Sequence, residues 1–254
     1  MAAASPRRVT TGLVLRTADT KEADKILTVL TPDMGKIAVS AKGARSRRSR
    51  VSAACQLLAW SEMTLSESRG WQYLVEANTI ALFDGVRQDL ERLALASYFA
   101  ELADAVTYED LPAAEVLSLL LNALFALSEQ GRPPALVKPA FELRLMALTG
   151  YAPQAEGCPR CGAAVPVEPA LDIANGQVCC GGCAPDAVPL GEDALAALRY
   201  VLTCPAKRLY AFSLPPEALA RLDRAAEDYV RFYLEREMGA LDFYRSLQRP
   251  FEHT

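Results

Sequence analysis

Between about residues 9 and 80 the apolar positions fall in short β-branched and aliphatic runs separated by turn residues, a pattern that predicts strands rather than helices. Five strands are expected, at about 9–17, 25–31, 36–42, 55–66 and 71–80. Pro32-Asp33-Met34-Gly35 places a φ-fixed residue early and a glycine late, as a tight turn between the second and third strands requires. Glu67-Ser68-Arg69-Gly70 does the same between the fourth and fifth. Five strands in so short a stretch bury one face only by curling closed, so a small barrel of the OB type is predicted.

After Phe83 the apolar spacing becomes helical. Asp84 is a candidate N-cap for a first helix carrying Val86, Leu90, Leu93 and Leu102. A second, at 112–129, has Val116, Leu117, Leu120, Leu121, Leu124 and Leu127 around most of its circumference, which predicts a central position. Gly131, Pro133 and Pro134 end it, and a third helix at 135–149 closes at Gly150. Two more are expected at 192–202 and 216–238, the last amphipathic through Leu219, Leu222, Ala226, Tyr229 and Phe232. The fold class is therefore α+β, with an OB barrel at 1–82 followed by a helical domain at 83–254. The most apolar stretch, 116–128, is too short to cross a membrane and contains Asn122, and the N-terminal region lacks the apolar run of a signal peptide, so a cytoplasmic location is expected.

Composition adds little by itself: 254 residues, 51% apolar and 23% charged, describe an ordinary globular chain. The distribution of charge adds more. The net charge is only −4, but eleven basic against four acidic residues leave +7 in residues 1–50, and the remaining 204 carry −11. Lys36, Lys42, Arg45, Arg47, Arg48 and Arg50 lie where no carboxylate occurs between Asp33 and Glu62. Arg45-Ser-Arg-Arg-Ser-Arg50 is expected as a mobile loop between the third and fourth strands, offering guanidinium groups to phosphates. Trp60, Trp71 and Tyr73 on the neighbouring strands could serve as stacking platforms for a single strand, although aromatic residues are more often core.

Cys158-Pro-Arg-Cys161 and Cys180-Gly-Gly-Cys183 are separated by 18 residues, the spacing of a tetrahedral zinc site. A module at about 156–187 is predicted to hold one structural Zn2+ through Cys158, Cys161, Cys180 and Cys183, with no open coordination position for catalysis. Cys179 is an alternative third ligand, but using it would lengthen the second spacer, so it is expected to face away on a hairpin. The competing reading is a set of buried or redox-active thiols. A thioredoxin-like role fits poorly, because the first pair follows helices and not a βαβ unit.

Catalytic signatures are absent. The single histidine, His253, lies next to the C-terminal residue, Gly35-Lys36 is followed by Ile37, and no G-x-G-x-x-G occurs. Glu22 and Asp24 are better suited to salt bridges or loop capping than to a metal-nuclease centre.

These residues resemble the RecO family of bacterial recombination and DNA repair mediators. The likeness in the barrel rests on Gly12, Val14 and Leu15, Glu22-Ala-Asp24, Thr31, Gly35-Lys36 and Ala41-Lys-Gly-Ala-Arg45. In the helical part it rests on Phe141-Glu-Leu-Arg-Leu145, Leu148, Gly150-Tyr151, Pro153, the Cys158–Gly162 knuckle, Gly176, Cys180 and Cys183; the doubled Cys179-Cys180 departs from the family pattern. The resemblance implies a non-catalytic protein of the bacterial cytoplasm, associated with the nucleoid. It would bind single- and double-stranded DNA and anneal complementary strands. It further implies partnership with RecR, contact with the acidic tail of single-strand-binding protein through the helical domain, and assistance to RecA loading. The alternative from the residues is a zinc-stabilised protein-interaction or transcription adaptor module whose basic barrel binds an acidic protein. A nucleotide-handling enzyme with a zinc lid would need a phosphate cradle that the sequence lacks.

Overall fold

The computed structural model describes residues 7–20 and 22–248. His253 therefore lies outside the described residues. Five strands close into a barrel in the order β1-β2-β3-β5-β4, where β1 is Arg7–Thr20, β2 Asp24–Thr31, β3 Gly35–Ala41, β4 Trp60–Ser68 and β5 Trp71–Ala81. All pairings are antiparallel except β3 with β5, and β1 closes the circle on β4, which is the OB topology. Register shifts between Val14 and Arg16 on β1, and at two places in the β4–β5 pair, supply the curvature that closure demands. Val14, Leu27, Val29, Ile37, Val39, Met63 and Leu65 fill the interior from alternate positions along the strands.

Both predicted hairpins form. Thr31, fully buried, fixes the first: its Oγ1 accepts from the Met34 amide at 3.1 Å and donates to the Gly35 carbonyl at 3.0 Å. In the second, Arg69 and Gly70 both take positive φ between the paired residues Ser68 and Trp71, the geometry of a two-residue turn that matches strand twist. The fourth strand begins at Trp60 and not at residue 55, because residues 51–58 are turns that end with Leu58 at φ 61°.

The chain divides into two compact units. The first contains the described residues up to Leu124 and those from Met238 onward. Besides the barrel it holds α1 (Asp84–Arg87), α2 (Leu90–Val106) and α7 (Gly239–Gln248). The single helix expected to start at Asp84 is two, because Asp89 leaves the helix and caps α2 by accepting from the Arg92 amide. The last predicted helix, 216–238, ends four residues early, and a further helix that was not expected follows it. The observed helix, α6 (Pro216–Leu234), stops where Glu235 adopts φ 46°, and α7 then packs on α2 through Leu241 and Tyr244. Glu101 of α2 accepts from the Gly239 and Ala240 amides, placing a carboxylate at the positive end of α7.

The second unit, Phe125–Glu237, holds α4 (Pro134–Leu148), α5 (Glu192–Thr203), α6 and a three-stranded sheet of β6 (Pro169–Asp172), β7 (Gln177–Cys180) and β8 (Val188–Pro189) in the order β7-β6-β8. The apolar helix α3 (Ala114–Ser128) runs through the point in the sequence where the units divide. No helix among the described residues is long and apolar enough to cross a membrane.

Candidate nucleic-acid interface and metal centre

The basic residues leave β3 and occupy the connection to β4. That connection is anchored on both sides of the arginines: Ala44, Ala54, Cys55, Leu58 and Ala59 are buried, and Ala44 and Cys55 belong to the barrel core. Its course is set by the Asp24 carboxylate, which accepts from the Gly43 amide at 2.8 Å, and by the Arg45 amide, which donates to the Ala23 carbonyl at 2.9 Å. Asp24 is thus a loop cap. Arg87 ties down the far end, donating to the Leu57 and Leu82 carbonyls at 2.5 and 2.6 Å. Because the apolar side chains point inward, Lys42, Arg45, Arg47, Arg48 and Arg50 are all exposed.

These cations are not equivalent. Arg47, Arg48 and Arg50 have no ion-pair partner among the described residues. Arg45 makes an exposed pair with Asp19 at 3.4 Å, a contact that a phosphate can replace at little cost. Lys42 lies over the Tyr73 ring, 5.1 Å from its centroid. Lys36 is separate from the group. Its ammonium donates to the Asp104 carbonyl of α2 at 2.6 Å, and the Asp104 carboxylate completes the ion pair at 3.0 Å. The sequence offered no sign of this, since Asp104 lies 68 positions away.

In the second unit the two Cys-x-x-Cys turns converge. The sulfurs of Cys158, Cys161, Cys180 and Cys183 all lie within 4.8 Å of one another, and Cys161 and Cys180 are 3.8 Å apart. Four sulfurs arranged tetrahedrally about one ion at about 2.3 Å would be about 3.8 Å apart, so the donor set fits a tetrathiolate metal site. The first turn is a tight knuckle, with the Cys158 amide donating to the Ala163 carbonyl at 2.8 Å and the Gly162 amide to the Cys158 carbonyl at 2.9 Å. Backbone amides of Cys180, then of Cys161 and Arg160, favour the Cys158 thiolate against burial and bring its pKa down to about 6. The hydrogen bond to Cys161, burial and the Cys158 charge push Cys183 up to about 12. So many thiols in one place therefore resist full ionisation unless a cation joins them.

Cys179 stands outside the four. It is fully buried and packed against the cluster, and burial together with the neighbouring Cys158 charge raises its pKa. Arg160 is a supporting residue that spacing did not single out, although it sits inside the first turn. It bridges the halves of the module by donating to the Cys183 carbonyl and to Asp172 on β6, each at 2.6 Å.

Two family models match the chain: "Recombination protein O N terminal" over residues 7–83 and "Recombination protein O C terminal" over residues 87–242. The chain belongs to the RecO family. The "DNA repair protein RecO" of Acetivibrio thermocellus is 32% identical over 243 residues, covering 94% of this chain and 97% of that one. The protein of the same description from Anaeromyxobacter dehalogenans is 35% identical over 235 residues, covering 90% and 91%. That from Symbiobacterium thermophilum is 32% identical over 243 residues, covering 93% and 96%. Family membership assigns the chain a role in DNA repair and recombination.

Proposed function

We propose that this chain is a non-catalytic recombination mediator. Its barrel binds single- and double-stranded DNA through Lys42, Arg45, Arg47, Arg48 and Arg50, and it anneals complementary strands, including strands coated with single-strand-binding protein. The observation that carries this reading is the anchored connection from β3 to β4, which presents the exposed guanidinium groups of Arg47, Arg48 and Arg50 without an ion-pair partner among the described residues. Annealing requires no bond to a protein group, only relief of the repulsion between two polyanions while bases find their partners. Arginine supplies that relief as a fixed charge able to grip a phosphate with two donors. Each neutralised phosphate releases counterions, so affinity falls as salt rises.

Cys158, Cys161, Cys180 and Cys183 would hold one Zn2+, which supplies a cross-link between the two turns and no open position for chemistry. In the cytoplasm, at the nucleoid, the protein acts with RecR to load RecA, and its helical part receives the acidic tail of single-strand-binding protein. These partners rest on family membership.

The test is the annealing rate of complementary oligonucleotides coated with the cognate single-strand-binding protein. Wild type should accelerate annealing, and a folded variant with Arg45, Arg47, Arg48 and Arg50 changed to Ala should not. No acceleration by wild type would end the annealing reading and favour a protein-interaction adaptor.

A further inference from the structure

We infer that Trp71 and Tyr73 form a stacking platform for unpaired bases at the edge of the arginine segment, so that this face of the barrel grips single strands by a contact that duplex DNA cannot make. The inference rests on the reading of the barrel as a DNA-binding domain and adds to it the part of the nucleic acid that is recognised.

The geometry comes from β5. Leu74 packs against the barrel core, so Tyr73 and Trp71, at alternating positions, face outward on the same side. Trp71 is 48% exposed, an unusual cost for an indole that serves only the fold. Tyr73 is paired in register with Ser40 on β3, and two residues further along that strand's path Lys42 reaches back over its ring. Lys42 and the Tyr73 ring therefore lie together where the chain leaves β3 for Arg45–Arg50, and Trp71 stands two positions back along β5 on the same outer side. On the other side, the turn before β5 presents exposed Arg69.

Charge limits the platform. Further along the outer face of the same sheet, exposed Glu76 and Glu62 pair with Thr64 and Asn78 and repel a phosphate backbone. A strand is thus directed across the Trp71–Tyr73 end and not along the length of β5. Trp60, the other tryptophan, is unsuitable: it lies at the opposite end of the β4–β5 pair, opposite Ala81, and its indole nitrogen is buried. Bases within a duplex are already stacked on their neighbours and present only edges. The arginines can hold either form, but the rings reward only the unpaired one.

The experiment uses the full chain, a thymidine oligonucleotide and a hairpin duplex of equal charge. Trp71→Ala and Tyr73→Ala should each weaken binding of the oligonucleotide about tenfold and leave duplex affinity within about twofold. Trp71→Phe, which keeps a ring, should bind within about threefold of wild type but lose the quenching of tryptophan fluorescence that the oligonucleotide causes. Oligonucleotide affinity unchanged in Trp71→Ala would overturn the inference while leaving the arginine interface intact. Equal losses on both substrates would also overturn it, since they would mark damage to the fold or the charge. Wild type that binds neither substrate at low salt would remove the DNA-binding reading itself.

Discussion

Lys36 and Asp104 are an ion pair, with the Lys36 ammonium 3.0 Å from Oδ1 and hydrogen-bonded to the same residue's main-chain carbonyl. The contact joins β3 to α2 and engages, half-buried, a cation that in sequence begins the basic run. Lys36→Met should therefore lower thermal stability and leave the salt dependence of DNA binding unchanged. Changing Arg47, Arg48 and Arg50 together should make the log-log salt slope shallower by about 2, at roughly 0.7 per single-strand phosphate contact. Titrating affinity against salt for both variants separates these roles.

Metal content should distinguish the adjacent cysteines. Wild type and Cys179→Ser should each retain close to one zinc per chain, whereas Cys180→Ser should lose it, since only Cys180 lies with the other three sulfurs. Cys158→Ala or strong chelation should expose the second unit to proteolysis and leave DNA affinity of the barrel largely intact. Equal loss of both properties would contradict a purely structural metal.

Lys138 is buried on α4, and its ammonium meets Glu142 at 3.1 Å, Asp223 at 2.8 Å and Glu227 at 3.1 Å. Burial alone would lower its pKa, but the three carboxylates outweigh burial and raise it above the ordinary lysine range. A raised pKa contributes stability that is fully present below the unfolded value of about 10.4, so wild type should show no loss from this group between pH 5 and 9. Lys138→Met removes the ammonium that the three carboxylates share and should cost about 3–5 kcal/mol. With that shared cation gone, the buried carboxylates lose a charge that favours their ionised form, so stability of the variant should recover as pH falls. Denaturant melts at pH 5 and pH 8 check both points; a deficit that does not shrink at pH 5 would contradict the account.

Gly35 and Gly70 both have positive φ, 65° and 76°, but different surroundings. A Cβ on Gly35 would lie 2.2 Å from the Tyr108 carbonyl oxygen and 2.3 Å from that of Leu111, whereas one on Gly70 meets nothing within 4 Å. Gly70→Ala should cost about 1 kcal/mol for its backbone conformation alone. Gly35→Ala should cost more than about 2 kcal/mol, because the turn must also part from the chain after α2. Chemical denaturation of the two variants tests the difference.

The sequence by itself determined what depends on near neighbours. Alternation and turn residues specified five strands and two hairpins, leucine spacing specified the core helices, and the spacing of Cys158, Cys161, Cys180 and Cys183 anticipated a cluster that the fold assembles. Unopposed charge between Asp33 and Glu62 identified the basic segment. Only the tertiary structure decided which members of these sets are available. Lys36 is taken by a carboxylate 68 residues away, and Trp60 lies at the far end of the β4–β5 pair from Trp71 with its indole nitrogen buried. The arginine segment is flanked by Ala44 and Cys55 in the barrel core, and the chain beyond Glu235 turns back as a separate helix onto α2. The physical reason is the same in each case. Backbone preference and spacing act over a few residues, whereas ion pairing and burial depend on distances that exist only after the chain has closed on itself.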